Sequence, residues 1–109
     1  MEKIMKNFTL CTCFIALFTS LSSLALEKIT GNVTLVEASY MPQRITFIMD
    51  AGSASCPAGS WFKWQKTPEN NQVVYSTLIT SLVSGKKVNF YVADGNTQCH
   101  GAYIHLISK

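Results

Sequence analysis

Charged side chains are scarce in this chain: they occupy 14% of its 109 positions, nine basic and six acidic, for a formal net charge of +3. Nucleic-acid binding asks for a concentrated basic face, and so mild and dispersed a balance does not supply one. Low hydrophobicity is also lacking. With 48% hydrophobic residues and a mean hydropathy of +0.19, the chain is not of the disordered class, which avoids collapse by being polar. The length accommodates one domain.

Catalytic signatures are missing as well. There is no Cys-x-x-Cys, nucleophile elbow, HExxH, P-loop, paired-carboxylate motif or glycine-rich dinucleotide fingerprint. The two histidines, His100 and His105, lie five apart in or beside one expected strand, which puts them on opposite faces. Ser53 or Ser55 with His105 and Asp50 or Asp94 is a triple that any chain of this size holds by chance. No catalytic site, cofactor or metal site is expected.

The apolar excess sits at the N-terminus. Lys3 and Lys6 outweigh Glu2, and residues 8–21 then run without a charge through Cys11, Cys13, Phe14, Ile15, Leu17 and Phe18. This is the layout of an export signal, and Ser23-Leu24-Ala25 places small residues at the −3 and −1 positions of a cleavage site after Ala25. The uncharged run is broken by serines and threonines and only just reaches the ~20 residues a membrane span needs. A cleaved signal over residues 1–25 is therefore expected, with the protein exported to the periplasm or the medium and not held in the membrane.

Residues 26–109 then form the single domain. They carry seven basic and five acidic side chains and two cysteines, Cys56 and Cys99. An exported chain with an even number of cysteines most often pairs them, and two cysteines allow one connectivity.

Residues 29–40 read as a long β-branched strand bent or bulged near Gly31. After Met41-Pro42-Gln43, residues 44–50 resume with Ile45, Phe47 and Met49 on one side. Residues 51–60 are a Gly, Ser, Ala and Pro loop holding Cys56, and residues 61–65 an aromatic third strand. The period then changes. Thr67 caps a helix with Pro68 at its first position and Glu69 at the positive end of its dipole. Val74, Leu78 and Leu82 mark its inner stripe, joined by Tyr75, Ile79 and Val83, and Gly85 stops it. Residues 86–93 return to strand with Val88, Phe90 and Val92 facing one way, residues 94–97 are turn chemistry, and residues 101–108 alternate as the last strand.

Three strands, a helix and two strands is the order β-β-β-α-β-β, which predicts a mainly β fold, a small OB-fold-like barrel with one helix closed by one disulfide. Tyr-Ser-Thr-Leu at 75–78, Ser-Gly-Lys at 84–86, Val-Asn-Phe-Tyr-Val at 88–92, Cys99 and Gly-Ala-Tyr-Ile at 101–104 resemble the C-terminal half of a group of short exported bacterial proteins of unassigned function. More distantly, the element order and single disulfide are similar to the B subunits of pentameric bacterial toxins. Those are OB-folds that bind glycans. The resemblance implies a barrel and a binding role, and it assigns no residue a part in either.

The candidate binding residues come from strand alternation. Trp61, Lys63 and Gln65 share one face of the third strand, Phe62 and Trp64 the other. With Phe62 and Trp64 inward, Trp61 and Lys63, joined by Tyr103 or Tyr40, form an aromatic and basic surface for a sugar ring or a partner's side chain. The helix offers a second surface for another copy of the chain, the small uncharged face Ser76, Thr77, Thr80 and Ser81. The expected function is a non-enzymatic exported binding module for a glycan or protein. The alternative is a structural or inhibitory protein that docks onto another exported protein through an edge strand or the loop 51–60.

Overall fold

The computed structural model describes residues 25–108. The export signal expected over residues 1–25 lies outside them except for Ala25. The elements are β1 (Leu26–Gly31), β2 (Val33–Glu37), β3 (Ile45–Met49), β4 (Phe62–Trp64), α1 (Pro68–Ser84), β5 (Val88–Ala93) and β6 (Gly101–Leu106). They form two antiparallel three-stranded sheets, in the orders β1-β5-β6 and β2-β3-β4.

The long first strand is thus divided, at the place where a bend was expected. A Cβ at Gly31 would stand 2.5 Å from Asp50 Oδ1 and 2.7 Å from Ala51 Cβ, so only glycine allows the backbones to approach this closely. At the next residue the Asn32 N–H donates to Asp50 Oδ1 (2.8 Å), and the Asp50 N–H donates back to Asn32 O (3.0 Å). The chain leaves the first sheet there and enters the second. A further tie joins the sheets at Lys63 and His100, a parallel bridge in which Lys63 N–H donates to Cys99 O at 3.0 Å.

The faces assigned by period-2 alternation are those observed. Ile45, Phe47 and Met49 are buried, as are Phe62 and Trp64, and Val88, Phe90 and Val92. At the centre Phe62 and Phe90 stack at 5.4 Å, and Phe47 meets them edge-on at 5.8 and 5.0 Å. Gly101 lies against this cluster: a Cβ there would collide with Phe90 Cε1 and come within 2.6 Å of Trp64 Cε3.

The helix begins and ends as its boundaries predict. Thr67 Oγ1 accepts from Asn70 N–H (3.2 Å), and Gly85 closes it in the left-handed conformation at φ 74°. Its inner stripe is different from the expected one. The buried positions are Asn71, Val74, Leu78 and Ser81, while Leu82 is 40% exposed. Two polar residues sit at the ends of the stripe because each holds backbone. Asn71 accepts from Lys66 N–H (2.9 Å) and donates to Pro42 O (2.8 Å) and Gln43 O (3.0 Å). Ser81 donates to Lys86 O (2.6 Å) and accepts from Val33 N–H (3.4 Å). Ser81 is therefore absent from the outer face proposed for it. Ser76, Thr77 and Thr80 remain there, their hydroxyls donating to the carbonyls of Gln72, Val73 and Ser76.

The disulfide joins Cys56 to Cys99 with Cα atoms 5.8 Å apart, both residues buried. Beside it, Glu27 of β1 gathers the two loops that carry the bridge. Its carboxylate accepts from Ser53 Oγ (2.5 Å), Ser55 Oγ (2.6 Å), Ser55 N–H (3.1 Å) and Gly95 N–H (3.0 Å). These donors, the serine hydroxyls first, hold its pKa well below the usual 4.5. A carboxyl depressed in the folded state stabilises fully above its unfolded value, and that contribution is lost as pH falls below about 4.5 through the lower folded value. Urea midpoints measured between pH 7 and pH 3 should therefore fall less steeply in Glu27→Gln than in the wild type, from a lower starting midpoint at pH 7. Parallel pH profiles would refute this role.

Candidate functional site

Sheet register assembles the site. On the outer face of β2-β3-β4, Glu37 pairs with Thr46 and Thr46 with Lys63, so three polar side chains stand in one row across three strands. Trp61, two residues before Lys63, falls on the same side and is 48% exposed, since Phe62 and Trp64 fill the core. The turn between β2 and β3 supplies the rest. Gln43 N–H and Arg44 N–H both donate to Tyr40 O, at 3.0 and 3.2 Å, and this tight return brings the Arg44 guanidinium over the Tyr40 ring, 4.3 Å from its centroid.

Glu37, Tyr40, Arg44, Thr46, Trp61 and Lys63 enclose an open cavity of about 360 Å³. Its polar groups are only partly engaged. Lys63 Nζ donates to Gln98 O at 3.0 Å, a neutral carbonyl. Arg44 Nε is buried and has no hydrogen-bond partner among the described residues. The Glu37 carboxylate accepts from both the hydroxyl and the N–H of Ser39, which lowers its pKa. Two aromatic surfaces, two cations, a carboxylate and a hydroxyl thus face one concavity, a set able to stack a ring and hydrogen-bond its substituents.

No protein-family model matches the chain, and no curated protein is significantly similar to it. The site's own geometry therefore carries the functional reading. Of the residues singled out in the sequence, Trp61 and Lys63 come together and Tyr40 joins them. Tyr103 does not. It lies on β6 against Tyr91, ring centroids 6.4 Å apart, and lines a separate groove beside α1. Glu37, Arg44 and Thr46 were missed, because their membership follows from cross-strand pairing and from the β2–β3 turn. The one available signal was the alternation of residues 44–50, which sets Arg44 and Thr46 opposite to Ile45 and Phe47. The serines considered as nucleophiles, Ser53 and Ser55, are bonded to Glu27, and His105 stands against Tyr91 at 5.4 Å.

Proposed function

We propose that this protein is an exported, non-enzymatic binding module that takes a glycan in the cavity lined by Trp61, Tyr40, Arg44 and Lys63. The observation that carries this reading is a half-exposed tryptophan beside a second aromatic ring and two cations that have no carboxylate partner among the described residues. A sugar presents apolar C–H faces for the rings, hydroxyl oxygens that accept from Arg44 and Lys63, and hydroxyl groups that donate to the Glu37 carboxylate. Export is supported by the signal-like residues 1–25 and by a disulfide, which persists in oxidising compartments. No helix among the described residues is long and apolar enough to cross a membrane.

The two sheets are read as one partly open barrel of OB-fold order. Support comes from the chain passing between them at Asn32 and from the Lys63–His100 bridge at their other border. On that reading the sugar site lies on the barrel's outer wall. No enzymatic step, cofactor or nucleic acid enters this function.

A glycan array probed with the purified protein tests it. We expect a restricted set of glycans to bind, and Trp61→Ala to weaken that binding about tenfold or more, with stacking alone worth roughly 0.5–1.5 kcal/mol beyond the area buried. An array without ligands, or undiminished binding by the variant, overturns the site.

A further inference from the structure

The cavity read above as a glycan site has two ends, and strand register fixes how far apart they are. Thr46 and Lys63 stand opposite each other on β3 and β4. Arg44 comes two residues before Thr46, and Trp61 two residues before Lys63. The strands run antiparallel, so these two steps lead in opposite directions from the central pair. Four residue steps at the extended rise of roughly 3.4 Å put the backbones of Trp61 and Arg44 about 14 Å apart along the sheet. Tyr40 belongs to the Arg44 end, since the guanidinium lies 4.3 Å from its ring centroid. Both ends line the same concavity of about 360 Å³, which is therefore a trough and not a cup.

Between the ends, Glu37, Thr46 and Lys63 cross the trough in one row. Both bonds from Ser39 end on Glu37 Oε1, and Oε2 has no hydrogen-bond partner among the described residues. The Lys63 ammonium carries three donors and gives one of them to Gln98 O. The row thus offers an acceptor and donors to a ligand, but no ring. Stacking belongs to the Trp61 end, and the Arg44 end adds a guanidinium laid over Tyr40.

We propose that the trough takes two linked pyranose rings, one stacked on Trp61 and the next against Arg44 and Tyr40. The row of Glu37, Thr46 and Lys63 then bonds hydroxyls on either side of the glycosidic link. This rests on the glycan reading and adds the size of the ligand to it. A single ring seated on Trp61 reaches the polar row and stops short of Arg44, whose donors stay unmet. A second ring meets them without paying again for lost translational freedom, which is the source of the preference. A third ring passes beyond the lining residues and gains little.

The test titrates the whole chain, recovered from a bacterial host that expresses and exports it, with a panel of soluble sugars. Hexoses, N-acetylhexosamines and acidic sugars are each supplied as the monosaccharide and in linked di- and trisaccharides. One disaccharide should bind at least about tenfold tighter than either of its monosaccharides, and trisaccharides containing it should stay within about threefold of it. That disaccharide should shift the Trp61 indole N–H and the Arg44 Nε–H resonances together, whereas its better-binding monosaccharide should shift the indole alone. Arg44→Gln should bring the disaccharide down to the affinity of that monosaccharide. A panel in which nothing binds overturns the glycan reading and this proposal with it. Three results overturn the two-ring site and leave the glycan reading standing: a monosaccharide as tight as any disaccharide containing it, a further tenfold gain from a third ring, or a bound disaccharide indifferent to Arg44→Gln that leaves the Arg44 resonance unmoved.

Discussion

Removing the Cys56–Cys99 bridge should lower the free energy of unfolding by about 4 kcal/mol, the chain-entropy value for a loop of this length. The two cysteines are 43 residues apart, so the bridge restricts about half of residues 26–109 in the unfolded chain. Small domains have a net stability of roughly 5–15 kcal/mol. The expected loss is therefore a large share of the total. Urea unfolding of the Cys56→Ala/Cys99→Ala double variant, and of the wild type with and without reductant, measures it. The two comparisons should agree within about 1 kcal/mol. A change below that size in both would show that the bridge contributes little beyond the packing of two buried side chains.

Phe90→Ala should cost about 3–5 kcal/mol, as aromatic truncations in close-packed cores do. Phe90 is fully buried, stacks on Phe62, meets Phe47 edge-on, and is the ring against which the glycine at 101 fits. Its removal leaves a void bordered by stiff aromatic rings and by backbone on the β6 side, groups that relax poorly into the space. Phe90→Leu retains more of the volume and should cost markedly less. Chemical denaturation of both variants separates lost area from lost fit, and equal costs would show that the fit of the aromatic ring, and not the buried volume, carries the loss.

Much of this core was readable because strand period and helix boundaries are local properties. Ile45, Phe47, Met49, Val88, Phe90 and Val92 alternate cleanly, and Thr67, Pro68 and Gly85 bracket the helix by their own conformational preferences. Asn71 and Ser81 were not readable as buried residues. A hydrophobic count passes over them, and their burial depends on carbonyls from Pro42, Gln43 and Lys86 that only the tertiary fold brings near. The site divides in the same way. Trp61 and Lys63 follow from the alternation of one strand, while Glu37 and Thr46 join through the register of two others, and Arg44 through a turn. Tyr103 was grouped with Trp61 on residue type alone, and the fold sends it to the other sheet.

Lys63 is held twice by one short turn. Its N–H is bonded to Cys99 O and its ammonium to Gln98 O, so adjacent residues grip the lysine at both ends. The turn is fastened in its own right by the bridge to Cys56 and by Glu27, which takes the N–H of Gly95. Force applied to that turn would pass to Lys63 through two short, differently directed links before it reached the rest of β4. The position of one cation in the proposed binding cavity is thus set by a cross-linked turn that belongs to the other sheet.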